Sequence, residues 1–161
     1  MTADKRAVQT IDLNRSVGVL LAFLSNRMTS TGSATYRKRF GLGILDCRLL
    51  IMLAAETDIP PARICEVMGV DSGAVSRALR GLEDRGLVAS RPDRRNPAYR
   101  LWSLTPEGIR MQDLAAPLVM RREEILLDGF DAAECEQLVG MLQSMLTRVD
   151  RLRALSTSDE E

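Results

Sequence analysis

Ser72, Gly73, Ser76, Arg77 and Arg80 recur at three- and four-residue spacing after Asp71, which places them on the outward side of one helix. Hydroxyls, a bare backbone and guanidinium groups together form a donor set suited to acceptor-rich partners such as base edges and phosphates. The small residues Ser72, Gly73 and Ala74 let the helix end approach a groove floor. Ser76 and Arg77 then reach bases, with Arg77 the best match to guanine, and Arg80 reaches a phosphate. A second donor set follows in PDRRNP, residues 92–97, where Asp93, Arg94 and Arg95 stand on a loop between two β-patterned runs. Two guanidinium groups on a narrow loop suit the negative potential of a minor groove, with Asp93 orienting an arginine. Arg91 and Arg100 flank the loop as further phosphate contacts, each adding to a steep salt dependence.

Other chemistry is poorly supplied. The chain holds no histidine, which removes Ser-His and Cys-His nucleophile pairs, histidine metal ligands and the commonest general base. The scattered Asp and Glu form no recognisable acid-base pair. Cys47, Cys65 and Cys135 are far apart and lack CxxC spacing, so neither a zinc finger nor a disulfide framework is expected, and all three read as structural. No enzyme, metal site or cofactor is expected. No run approaches the roughly 20 apolar residues of a membrane span, and MTADKRAVQT lacks the apolar stretch of a secretory signal. A reducing cytoplasm is the expected compartment.

The 161 residues balance 22 basic against 22 acidic side chains, but unevenly. Residues 1–59 carry 8 basic and 5 acidic, residues 60–100 carry 8 and 5, and residues 101–161 carry 6 and 12, giving +3, +3 and −6. An electropositive middle beside an acidic end points to a polyanion-facing segment joined to a part with another task.

The elements that must position these donors are legible from periodicity and stop signals. From Asp12 to about Phe40, Leu13, Val17, Leu20, Leu21, Leu24 and Met28 make one face of a long helix, ended by Gly41 and Gly43. A second helix over about Leu45 to Glu56, with Leu45, Leu49, Leu50, Ile51 and Leu53, reads as mostly buried. Pro60 and Pro61 suit a helix start, with Ile64, Val67 and Met68 inward and Gly69 as the stop. Asp71 caps the next helix, whose inner face is Val75, Leu79 and Leu82 and whose stop is Gly86. Strands are expected at 87–91 and 99–105, then a helix capped by Thr105-Pro106 that carries Met111, Leu114 and Leu118, with Pro117 bending it. Asp131 and Glu134 form a capping box for the last helix. There Leu138, Leu142, Met145, Val149 and Leu152 step four, three, four and three, a heptad-like seam.

Two helices joined around GVD and followed at once by a hairpin make a helix-turn-helix with a wing. The expected fold is mainly α (α+β): a winged helix-turn-helix lobe over residues 42–105, flanked by helical dimerisation segments over 12–40 and 106–155. Two rigidly linked lobes bind far better than one, so a homodimer on an inverted-repeat duplex DNA operator is expected. Leu13, Val17 and Leu20 with the seam Leu138, Leu142, Met145, Val149 and Leu152 are its expected contact surface, alongside intramolecular packing.

VSRALRGLEDRGLVASRPDRR and the SLTPEG after the wing resemble the MarR family of multiple antibiotic resistance regulators, notably in LEDRGLV at 82–88, the D-x-R of Asp93 to Arg95 and LTPEG at 104–108. The resemblance implies an obligate dimer built by the N- and C-terminal helices. It places DNA contacts on Ser72, Gly73, Ser76, Arg77 and Arg80 and a wing-tip arginine at Arg95. It also implies a transcriptional repressor released by a small, often aromatic acid. For such an effector, Arg15 is a candidate partner for a carboxylate and Met28, Met52, Met68 and Trp102 are candidate walls, although core filling is the simpler role for these methionines. The competing readings are a degenerate winged-helix dimer that binds protein and an effector-independent DNA-binding protein.

Overall fold

The computed structural model describes residues 10–149, 151 and 152. Among them the order is α1 (Val17–Phe40), α2 (Ile44–Ala55), α3 (Pro61–Met68), α4 (Ser72–Asp84), β1 (Val88–Pro92), β2 (Arg100–Leu104), α5 (Pro106–Leu126) and α6 (Ala132–Leu146). This is the expected winged helix-turn-helix with flanking helices. The chain divides into two compact units, Met1–Ala115 and Ala116–Glu161, so the division falls inside α5 one residue before Pro117.

Local chemistry explains most element ends in the first unit. Gly41 takes a left-handed φ of 64° and its N–H closes α1 on the Arg37 carbonyl. The Gly43 N–H donates to Asp46 Oδ2 at 2.8 Å, capping α2. Asp71 Oδ1 accepts from the Ala74 N–H at 2.9 Å and caps α4. At the far end of α4, the Gly86 N–H reaches the Glu83 carbonyl and the Leu87 N–H the Leu82 carbonyl, a Schellman motif with Gly86 at φ 68°. The antiparallel wing pairs Val88 with Leu104 and Pro92 with Arg100.

The core sits in this lobe. Leu42, Leu49, Leu50, Leu53, Ile64, Val75, Leu79, Leu82 and Val88 are buried almost completely, and α2 lies at its centre with Cys47 and Met52 also buried. The join to α5 is tight. Thr105 Oγ1 donates to the Gly86 carbonyl and accepts from the Gly108 N–H, while the Thr105 N–H donates to the Leu87 carbonyl. A Cβ on Gly108 would stand 1.9 Å from the Leu87 oxygen, so only glycine fits there.

Several expectations change. Helix α1 begins at Val17 rather than Asp12, because the Arg15 and Ser16 N–H groups both turn back to the Asp12 carbonyl and Asp12 Oδ1 takes the Asn14 N–H. Leu13 therefore lies in a turn, outside the helix. The stripe Val17, Leu20, Leu21, Leu24 and Met28 is exposed; α1 buries only Gly32 and Tyr36. Ile51, Val67 and Leu114 are exposed too, because each falls outside the arc that its helix turns toward the core. Between α2 and α3, the Ile59 N–H and carbonyl both pair with Trp102, an isolated bridge that extends the wing by one residue.

In the second unit, Asp131 and Glu134 form the expected capping box, with both bonds at 2.9 Å. No residue of α6 is buried. The seam does not continue as one regular helix. Thr147 Oγ1 and the Arg148 guanidinium both take the Ser144 carbonyl, and the Arg148 and Val149 N–H groups tighten onto Met145 and Leu146. Val149 and Leu152 lie beyond the helix end, and the range 153–155 lies outside the described residues. None of the helices described is long and apolar enough to cross a membrane.

Candidate nucleic-acid interface

Helix α4 presents its donors by the same geometry that buries its other side. Val75, Leu79 and Leu82 are sealed inward, so Ser72, Arg77 and Arg80 are left exposed and Gly73 and Ser76 half-buried. A Cβ at Gly73 would meet Asp71 Oδ1 at 3.0 Å and Arg77 Nη1 at 3.2 Å. Glycine there keeps the cap intact and leaves room for the Arg77 guanidinium beside the helix start. Arg77, with Arg85, Leu45 and Asp46, lines an open depression of about 430 Å³ between α2 and α4. Ser76, Arg80, Glu83, Arg100 and Trp102 line a second, of about 410 Å³, between α4 and the wing.

The lobe's arginines divide by what they hold. Arg91 forks onto Asp58, Nε to Oδ1 and Nη2 to Oδ2, both at 3.0 Å. That hydrogen bond holds the Asp58 carboxyl below the usual carboxylate range and raises Arg91 above its own. Arg63 grips Glu56 the same way and lowers its carboxyl. Arg100 donates to the Ser90 hydroxyl, which in turn donates to Glu83 at 2.7 Å. Arg80 Nε leans on the Ser76 carbonyl at 3.2 Å. By contrast, the Arg77, Arg94 and Arg95 side chains hold no hydrogen bond or ion pair among the described residues.

Asp93 differs from expectation. Its carboxylate accepts the backbone N–H of Arg95 at 2.9 Å instead of an arginine side chain, because an Asx turn is the nearest donor on so short a loop. The Asp93 N–H closes on the Tyr99 carbonyl and Asn96 Oδ1 takes the Ala98 N–H. The tip is therefore fixed by its backbone while both guanidinium groups stay exposed. Asp58, Glu83 and Ser90 were not anticipated as partners; their contacts join residues 7 to 33 positions apart, beyond any local spacing rule. Arg85 was missed as well. It donates from Nη1 to the Gly41 carbonyl at 2.9 Å and from Nη2 to that of Phe40 at 3.3 Å, tying α4 to the end of α1.

The candidate effector residues lie on five different segments. Arg15 is exposed in the turn before α1, Met28 is exposed on that helix, Met52 is buried in α2 and Met68 is half-buried at the end of α3. Of the five, only Trp102 lines either depression beside α4. Burial pushes the Cys47 thiol up to about 11, which keeps it protonated and unreactive at neutral pH. Cys65 and Cys135 are half-buried and unpaired with any other cysteine.

The geometry is that of a winged helix-turn-helix with exposed donors on α4 and at the wing tip. Residues 40–96 match the model of the MarR family. The MarR/EmrR family transcriptional regulator from Acinetobacter sp. ADP1 superposes with a TM-score of 0.81 at 26% identity, covering 88% of this chain and 99% of that one. S. aureus MepR, solved as a DNA complex, superposes with a TM-score of 0.73 at 20% identity, covering 86% and 99%. CouR from Rhodococcus jostii RHA1, bound to p-coumaroyl-CoA, superposes with a TM-score of 0.74 at 22% identity, covering 85% and 96%. A search of curated proteins by sequence gives no match. Residues 40–96 are thus similar to the MarR family of transcriptional regulators, and the fold is the one shared with those solved regulators.

Proposed function

We propose that this chain is a homodimeric, sequence-specific DNA-binding repressor that leaves an inverted-repeat operator when a small effector, an aromatic acid, binds. Residues 42–105 form the reading lobe, and 12–40 with 106–155 the dimerisation region. Ser72, Gly73, Ser76 and Arg77 meet base edges and Arg80 a phosphate, while Arg94 and Arg95 enter the adjoining minor groove. The observation that carries this reading is the set of three guanidinium groups, Arg77, Arg94 and Arg95, without a partner among the described residues, at a helix start and a loop tip in a lobe where neighbouring arginines are engaged. Arg91 and Arg100 act first as braces for the wing.

The exposed apolar residues of α1 and α6, including Val17, Leu20 and Leu142, support the dimer. The DNA complex of MepR supports the groove-reading role, and the p-coumaroyl-CoA complex of CouR supports an aromatic acyl effector. An effector of this kind binds one lobe arrangement better than the other, and that difference in affinity limits how far it weakens DNA binding. The work is done in the cytoplasm, where the DNA is. Footprinting the DNA upstream of the protein's own gene, with and without a panel of aromatic acids, tests the proposal. Two protected half-sites one helical turn apart, lost with one acid, are expected. A single unpaired footprint defeats the dimeric reading, and indifference to every acid defeats the effector.

A further inference from the structure

A second group of cations remains unused. The last turn of α1 carries Arg37, Lys38 and Arg39 in succession, all exposed. Tyr36 is buried and Phe40 half-buried, their ring centroids 6.3 Å apart, so the three cations cover the outer side of that turn. Among the described residues no carboxylate pairs with any of them. Cations are favoured at a helix C-terminus by the dipole, but these carbonyls already have donors: the Gly41 N–H on Arg37, and the Arg85 guanidinium on Phe40 and Gly41. Three further charges exceed what the helix end requires.

The position of Arg85 links them to the reading helix. Its guanidinium touches the end of α1 and lines the same depression as Arg77. The two arginines, Arg77 in α4 and Arg85 at its C-cap, are eight residues apart, about 12 Å along the helix, or between three and four base-pair steps at about 3.4 Å. Arg85 thus joins the depression that Arg77 lines to the helix end that carries Arg37, Lys38 and Arg39. Two acids are near in the fold or the chain: Asp46, which lines the same depression and is engaged by the Gly43 N–H, and Asp84, which precedes Arg85 at the end of α4. Five cations against two leave a surplus matched to a polyanion, and four of the five are arginines, whose donor fork fits phosphate oxygens.

We propose that Arg37, Lys38, Arg39 and Arg85 form a second phosphate-contact patch that holds the DNA backbone flanking the groove read by α4. This rests on the DNA-binding reading above and adds a sequence-independent grip beyond the helix and wing. The test is affinity for a short random-sequence duplex across a salt series, with the full-length protein and its R37Q/K38Q/R39Q variant. Each lost phosphate contact lowers the slope of log affinity against log salt by about 0.9. The variant should therefore lose about two to three from the slope and bind more weakly at low salt, with an unchanged melting temperature. The R37K/R39K variant, which keeps the charge, should retain the wild-type slope. An unchanged slope in the glutamine variant, or an equal loss in the lysine variant, overturns the proposal while leaving the DNA-binding reading in place. Absence of salt-dependent binding by the wild-type protein overturns both.

Discussion

The winged lobe and the helices that flank it in the sequence treat apolar side chains in opposite ways. Fourteen of the sixteen buried apolar residues described fall between Leu42 and Trp102, and the lobe closes its own core. Helix α1, three turns longer than α2, buries two residues, and α6 buries none. Val17, Leu20, Phe23, Leu24, Met141, Leu142 and Leu146 are all exposed. A domain that finishes its core internally has stability of its own, whereas helices with an uncovered apolar stripe draw theirs from a further surface. The lesson is that the two regions answer to different perturbations, and each of the following substitutions should affect one far more than the other.

The largest effect is expected from a double change, Val17→Asp with Leu142→Asp. Charges on the uncovered stripes should convert the dimer to monomer in sedimentation while leaving the lobe folded, and operator affinity should fall by about 10²- to 10⁴-fold as the linked second lobe is lost. A variant that sediments as before places the shared surface elsewhere. Next is Gly108→Ala. Its methyl collides with the Leu87 carbonyl, and urea denaturation should show a loss of about 3 kcal/mol; a loss below about 1 kcal/mol would mean that the α5 junction yields easily. Third, Arg77→Ala should cost about 1 to 3 kcal/mol on the operator and relax its preference, while Arg80→Ala weakens operator and random duplex alike. Equal loss on both duplexes for Arg77→Ala removes it as a base reader. The smallest effect concerns pH. The Cys47 thiol is raised by burial from 9.0 to about 11, so the folded state favours its protonated form. Stability from this group is complete below pH 9.0 and declines as pH rises toward about 11. Cys47→Ala should flatten that alkaline limb, and native protein at neutral pH should leave Cys47 unalkylated while Cys65 and Cys135 react faster.

How much of this was visible in the sequence follows the range of each interaction. Asp71, Gly86, the Asp131–Glu134 pair and Thr105 in its cap of Gly108 act within three or four residues of themselves, and each performs in the structure the role its neighbours prescribe. The inward face of α4 was equally plain, since a 3.6-residue period is a local property. Arg85 bonds to carbonyls 44 and 45 residues away, and Arg91 to a carboxylate 33 residues away; no spacing rule reaches that far. Ile59 joins the wing from a segment whose two following prolines read only as a helix start. The exposed stripe of α1 was legible as apolar, but periodicity reports that a face is sticky without saying what it adheres to.

The join at residues 105–108 has a mechanical consequence. Thr105 holds the carbonyl of Gly86 with its hydroxyl and that of Leu87 with its amide, and Gly108 lies flush against the same Leu87 oxygen. Four consecutive residues thus bolt the outgoing helix to the turn that ends α4, with no side chain between them to act as a cushion. A rotation of the first turn of α5 would therefore press directly on the residues that close α4.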